Sequence, residues 1–227
     1  MSIVRNIVKS AVPAPMRRAM RGGLMSAARN TTALRLRFHS EIDERFLAKL
    51  LEQWGNPLYA APPNYLKMVA DAALNAKGSI LECGTGLSTL VLGKVARDVG
   101  VKVVSLEHHH EWAQEIQSYL RRFGLGGTVC HAPLISHGDF DWYDVPQIVR
   151  ENSYSVVVCD GPPGTTRGGR VGLVPVMKDQ FMPDVTIYLD DAEREGERAV
   201  LRQWSELYGT NAEMLGRTAV VRFAPTV

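Results

Sequence analysis

From Gly78 onward the sequence alternates short apolar runs with amphipathic stretches, and this alternation restricts the possible folds more than any other feature. The runs are SILEC (79–83), VKVVSLE (101–107), TVCHAPL (128–134), YSVVVCD (154–160) and VTIYLDD (185–191). They are rich in Val, Ile and Leu without clean alternation, the pattern of strands covered on both faces. Between them, 87–98 and 111–123 carry helical stripes, the second built from Trp112, Ile116, Tyr119, Leu120 and Phe123. Another helix is expected over 194–208, with Val200, Trp204, Leu207 and Tyr208 on one side. AEMLGRTAVVRF reads as two strands around Gly216-Arg217. Strand and helix in turn dictate an α/β fold, a doubly wound, mostly parallel sheet closed by an antiparallel C-terminal hairpin.

Upstream, 41–54 and 64–76 read as helices, separated by Gly55-Asn56-Pro57 and Pro62-Pro63. The segment 41–77 is expected to form part of a cap over the ligand cleft of a core spanning 78–227. Residues 1–40 are a separate electrostatic object, with eight basic groups and no acid. That leaves 18 basic against 24 acidic residues in the remainder. A mildly acidic body argues against nucleic acid as partner or substrate. Within the tail, Ile3, Val4, Ile7, Val8 and Val12 share one helical face, with Arg5, Asn6 and Lys9 opposite, until Pro13 and Pro15 stop the helix. Such a helix suits an anionic membrane surface or a docking partner through residues 1–30; packing on its own domain is the plainer reading.

Cys83, Cys130 and Cys159 form no C-x-x-C pair and are expected to be buried and reduced, as suits a cytoplasmic protein, soluble or peripherally membrane-bound. No stretch approaches the ~18 apolar residues of a membrane span. Arg5, Asn6, Lys9 and Ser10 interrupt any secretory core. An acid-free, Arg-bearing start also fits an organellar transit peptide; the residues leave that open, as they do a homo-oligomeric state.

The first apolar run ends in Glu82-Cys83-Gly84-Thr85-Gly86-Leu87-Ser88-Thr89 and passes straight into a helix. In an open parallel sheet, ligands bind at the carboxyl ends of the strands near the topological switch point. Glycines at 84 and 86 permit a tight turn and close approach of a ligand, and the new helix offers free N–H groups to an anion. By itself G-x-G is common to several nucleotide-binding loops. Here the third glycine of the dinucleotide fingerprint is missing, and Glu82 stands where it would repel a pyrophosphate. An acid there is reasonable for a ligand with a cationic amine and a carboxylate, as in S-adenosylmethionine. The second run ends in Glu107, 21 residues past Gly86, where a carboxylate can accept two ribose hydroxyls.

ILECGTGLST, VVSLEHHHEWA, VVVCDGPPG and IYLDDAER, in this order, resemble the class I S-adenosylmethionine-dependent methyltransferases over about residues 78–227. The resemblance implies a seven-stranded sheet of order 3-2-1-4-5-7-6. It implies that Glu82, Gly84, Thr85, Gly86 and Ser88 hold the methionine end, that Glu107 holds the ribose, and that His108 lies near the adenosine. Ser88 stands where the family often has a third glycine; its hydroxyl is suited to the methionine carboxylate.

Asp160 ends the fourth run and Asp190-Asp191 the fifth, neighbours in this topology. Acids converging at one sheet edge repel each other unless something positive joins them. The candidates are the sulfonium of the donor and Mg²⁺ or another divalent cation with oxygen ligands. The arrangement is similar to metal-dependent catechol-type O-methyltransferases, with Asp191 where that family has Asn. The alternative is that Asp190 or Asp191 caps the following helix and pairs with Arg194. Asp160 is the candidate for general base or metal ligand, ahead of His131 and His137. The loop from Gly161 to Arg170 is placed to act as a lid, with Arg167 or Arg170 gripping an anionic substrate group, or as solvated arginines. Trp142 and Tyr143 are candidate walls of the adenine or substrate pocket, or ordinary core aromatics. His108-His109-His110 reads as loop histidines, since adjacent residues cannot all face one metal. Together these readings describe a methyltransferase acting on a small molecule, most reasonably at a hydroxyl oxygen. The rivals are methylation at nitrogen, a catalytically silent subunit that binds the donor, and a nicotinamide oxidoreductase, against which Glu82 and Ser88 speak.

Overall fold

The structure is a computed structural model, and it describes residues 41–54 and 60–224. The basic tail, with its amphipathic helix, lies outside the described residues. The chain divides into two compact units, 1–64 and 65–227. In the first, helix α1 (Glu44–Trp54) buries Phe46, Leu47, Leu50 and Trp54 along one stripe. Asp43 caps it, its side chain accepting from the Phe46 N–H at 2.6 Å. Helix α2 (Pro63–Leu74) opens on a proline, whose missing N–H costs nothing at a first helical position, and continues into the second unit.

The second unit is a seven-stranded sheet. Its strands are β1 (Ser79–Cys83), β2 (Val103–Glu107), β3 (Thr128–His131), β6 (Tyr154–Cys159), β7 (Phe181–Leu189), β8 (Thr210–Leu215) and β9 (Thr218–Phe223). Their order is β3-β2-β1-β6-β7-β9-β8, the expected order once a small separate hairpin, β4 (Leu134–Ser136) and β5 (Asp141–Tyr143), is set aside. The first five are parallel, and β9 and β8 run antiparallel, as the hairpin reading requires. β1, β2 and β6 are buried almost throughout because helices cover both faces. Helices α3 (Leu87–Val99), α4 (His110–Phe123) and α7 (Glu195–Tyr208) supply that cover, each stopped by a left-handed glycine: Gly100, Gly124 and Gly209.

Three details depart from expectation. TVCHAPL is two strands: Pro133 has no N–H for the ladder, so β3 ends at His131 and Leu134–Ser136 becomes β4, paired with β5 (Asp141–Tyr143). Short helices α5 (Gln147–Arg150) and α6 (Leu173–Met177) are too brief for periodicity to show them. On α7, Val200 and Trp204 reach the core, whereas Leu207, in the last turn, is 62% exposed. Trp204 is fixed there by donating to the Val171 carbonyl at 2.9 Å.

Candidate active site

The strand order places the switch point between β1 and β6, since the chain leaves β1 toward β2 and later returns on the other side. Ladder bonds continue one residue past the strands and align their ends. Gly84 N donates to Leu106 O (2.9 Å), Asp160 N to Cys83 O (3.0 Å) and Asp190 N to Cys159 O (3.0 Å). Glu107, the glycine loop, Asp160 and Asp190 therefore stand along one rim.

At the β1 end, Gly84 has φ +85, and a Cβ there would lie 2.7 Å from the Gly161 backbone nitrogen. No other residue fits, because the loops after β1 and β6 touch backbone to backbone at this point. A Cβ at Gly86 would meet nothing within 4 Å, so the loop opens into free space above the first turn of α3. That turn has no side-chain cap, although the Gly86 N–H itself is taken by Thr89 Oγ1 at 2.9 Å. Glu82 is fully buried; Ser88 donates to its Oε1 at 2.7 Å, and Oε2 finds no partner among the described residues. Burial pushes its pKa up to about 7, against the pull of the hydroxyls of Ser105, Ser88 and Thr89. Ser88 is thus turned inward, toward Glu82, and orients that carboxylate.

At the β2 end, Glu107 Oε2 accepts from Thr85 N (3.1 Å) and Thr85 Oγ1 (2.9 Å), and Oε1 from His109 N (2.9 Å). Burial works against its charge, but His108, whose Nδ1 lies 3.0 Å away, and these N–H groups hold the carboxyl below the usual range. Thr85 and Glu107 are brought together, with Thr85 donating to the carboxylate from both its N–H and its hydroxyl. The three histidines part company: His108 faces Glu107, His109 accepts from Trp112 N as the α4 cap, and His110 meets His131. His137 stacks on Phe140.

At the β6 and β7 ends the three aspartates do converge, one oxygen of each lying within 4.8 Å of the others. The positive charge that joins them belongs to the chain. Arg217 forks onto Asp190, Nε to Oδ1 at 2.9 Å and Nη2 to Oδ2 at 2.8 Å, and Nη2 also reaches Asp191 Oδ1. Arg194 pairs with Asp191 Oδ2 at 2.6 Å, as the sequence alternative had it, but neither aspartate caps α7. Arg170 reaches Asp160 Oδ1 at 3.1 Å and the carbonyls of Asp160 and Asp190, both at 2.6 Å. Arg170 is 2% exposed and has spent its donors, which corrects its assignment as a substrate-binding arginine. Mg²⁺ fits poorly here because three guanidiniums already balance the three carboxylates. At an effective dielectric of ~20 a divalent ion about 4 Å from one guanidinium loses about 8 kcal/mol, as much as one carboxylate at that distance returns. Asp160 keeps a side chain 33% exposed, at the cleft floor. Its surroundings of protein push its pKa up to about 7, Arg170 opposing and Asp190 and Asp191 adding to the rise.

Trp142 and Tyr143 correct a second expectation. Both are fully buried; Trp142 lies against Gly172, where a Cβ would come within 2.8 Å of it, and belongs to the core rather than to a pocket wall. The Tyr143 hydroxyl sits against Gly161 between the two loops, without a partner among the described residues. Arg167 is also committed, to Asp141 (2.6 Å), Ser136 Oγ (2.7 Å) and the Gly138 carbonyl (2.7 Å). Two residues escaped the sequence reading. Arg217 stands beside Asp190 because β9 runs antiparallel to β7, a register that only the structure supplies. Tyr65 of α2 is fully buried with an unpartnered hydroxyl among the described residues, its pKa raised by burial and then by Asp160 and Asp190. Nothing in the periodicity of α2 announces that role.

This strand order, with an acid-flanked glycine loop at its switch point, is the fold of the class I methyltransferases. Similar solved structures include the S-adenosylhomocysteine-bound methyltransferase PaMTH1 of Podospora anserina (14% identity, TM-score 0.59, covering 78% of this chain and 87% of that one). An O-methyltransferase of Bacillus cereus in complex with S-adenosylhomocysteine is similar at 18% identity and TM-score 0.56, over 80% of this chain and 90% of its own. So is TomG of Streptomyces achromogenes, an O-methyltransferase of tomaymycin synthesis in complex with S-adenosylmethionine (15%, 0.53, 82% and 91%). At these identities the likeness is one of fold. No protein-family model and no curated protein matches the chain. No helix among the described residues is long and apolar enough to cross a membrane.

Proposed function

We propose that this protein transfers the methyl group of S-adenosylmethionine to a hydroxyl of a small-molecule acceptor, with Asp160 as the general base. One observation carries the proposal: Glu82, buried under the glycine loop, has a carboxylate oxygen with no partner among the described residues. A buried acid without a countercharge is costly, and the donor's ammonium group supplies one. The uncapped first turn of α3 suits the donor carboxylate, and Glu107 with Thr85 suits the ribose. His108, 3.0 Å from Glu107, suits the adenosine end of such a donor.

The reaction is an in-line displacement. The acceptor oxygen attacks the methyl carbon, the carbon–sulfur bond breaks, its electron pair returns to sulfur, and the hydroxyl proton passes to Asp160. Charge largely disappears as the transition state forms, so alignment in a closed cleft is the main contribution, about 7–11 kcal/mol in favourable cases. A positioned base adds about 10²–10⁴-fold. Asp160 suits that task because one oxygen is held by Arg170 and its pKa is raised to about 7, near a working pH. No step requires a metal.

Thermal-shift measurements with S-adenosylmethionine, S-adenosylhomocysteine and NAD test the proposal. The two adenosyl ligands should raise the melting temperature and NAD should not; stabilisation by NAD alone overturns it.

A further inference from the structure

The rim acids Asp160, Asp190 and Asp191 carry six carboxylate oxygens, and a hard divalent cation would take its ligands from them. Five of the six already face a guanidinium. Arg217 takes both oxygens of Asp190 and one of Asp191; Arg194 takes the other, with Arg170 3.7 Å from it; Arg170 takes Asp160 Oδ1. Asp160 Oδ2 alone receives no guanidinium among the described residues.

The three arginines come from three parts of the chain. Arg170 rises from the loop after β6, Arg194 from the turn before α7 and Arg217 from the β8–β9 turn. The backbone supports this convergence: Ala192 N donates to Arg217 O at 2.6 Å, and Arg194 N to Asp191 O at 2.9 Å. Asp191 is the one non-glycine residue with positive φ (57°) among the described residues, which turns its carboxylate between Arg194 and Arg217. Arg170 is enclosed, with Glu197 on its remaining side at 3.9 Å.

We infer that Arg170 and Arg217 occupy the electrostatic place of a divalent cation, so that this acid triad holds no metal and the site works without one. That the site functions without a metal rests on the methyltransferase reading; the exclusion of a cation stands on the geometry. It also makes a reverse claim: with Arg217 neutralised, the same oxygens become a cation site.

The full-length protein is titrated with Mn²⁺, followed by electron paramagnetic resonance and calorimetry, with S-adenosylhomocysteine thermal shifts on the same samples. Wild type should show no saturable Mn²⁺ binding at millimolar concentration, and chelator should leave its melting temperature unchanged. Arg217→Gln should gain one Mn²⁺ per chain, and Arg217→Gln with Asp190→Asn should lose it again. Stoichiometric binding by wild type that disappears in Asp190→Asn overturns the inference. Failure of Arg217→Gln to acquire binding, in a variant still showing a cooperative melt, overturns it from the other side. Loss of the S-adenosylhomocysteine shift, with the Mn²⁺ results as expected, sinks the methyltransferase reading and leaves the cation exclusion intact.

Discussion

Two sets of buried acids stand on the same rim, and they keep different company. Glu82 at the end of β1 has hydroxyl neighbours, no cation among the described residues, and one oxygen left over. Asp190 and Asp191, after β7, are enclosed by guanidinium groups from two turns and a loop. A buried charge without a partner is a standing demand for a cation from outside, and a paired one makes no such demand. Acids at strand ends of one sheet therefore mean different things, and their partners tell them apart. Asp160 lies between these extremes, with one oxygen held by Arg170 and a side chain still 33% exposed.

The contrast can be broken from either side. The largest effect is expected at the intermediate position. Asp160→Asn keeps the Arg170 bond to its carbonyl and removes the base, so kcat should fall by about 10²–10⁴-fold. The S-adenosylhomocysteine thermal shift should persist; undiminished turnover would place the base elsewhere. Glu82→Gln keeps a polar partner for Ser88 and removes the charge. Calorimetry should show donor affinity weakened by about 2–5 kcal/mol, the range for losing one member of a buried charged pair. The unliganded variant should melt higher than wild type at pH 8. Asp190→Asn should do the opposite, lowering unliganded stability by about 1.5–3 kcal/mol, since it strands the partly solvated Arg217. If both substitutions shift the melt in the same direction, the two sets of acids do not differ as described.

A pH series sharpens the same contrast by a smaller amount. Glu82 has its pKa raised to about 7 in the folded chain, above the usual carboxylate value of about 4.3. Its contribution to stability is then fully present below the unfolded value and is lost as pH rises through about 7. The melting-temperature advantage of Glu82→Gln over wild type should therefore grow between about pH 5 and 8. A constant difference over that range contradicts the assignment. The smallest effect is expected at Arg167→Ala. Its ion pair with Asp141 is solvent-exposed, so stability should change by about 0–1 kcal/mol in chemical denaturation.

The fold was legible because strand and helix alternate and each helix carries its own stop, so the boundaries of β1 and of α4 fell within a residue of their observed places. The rim acids were legible for the same reason: each closes an apolar run. Their partners were not. Arg217 lies 27 residues from Asp190 and Arg170 lies 10 from Asp160, in turns and loops where an arginine is indistinguishable from a solvated one. Trp142 and Tyr143 stood open between pocket wall and core because a three-residue strand has too little pattern to reveal which way its aromatics point. The inward turn of Ser88 was likewise hidden, since position 88 of a helix start can face either the ligand or the strand beneath it.

Arg167 and Arg170 fasten the two ends of one loop in different ways. The Arg167 guanidinium holds Asp141, Ser136 and Gly138, and the Arg167 carbonyl accepts from Asp141 N at 2.9 Å, while Arg170 three residues on is locked beneath the rim. The two moorings are unequal, since the Arg167 pair is solvent-exposed and Arg170 is enclosed. The loop after β6 is tied to the β4–β5 hairpin at one end and to the rim acids at the other. Freeing the outer end would cost the fold little, whereas displacing the inner end would take Arg170 away from the carbonyls of Asp160 and Asp190 and from the Asp160 carboxylate.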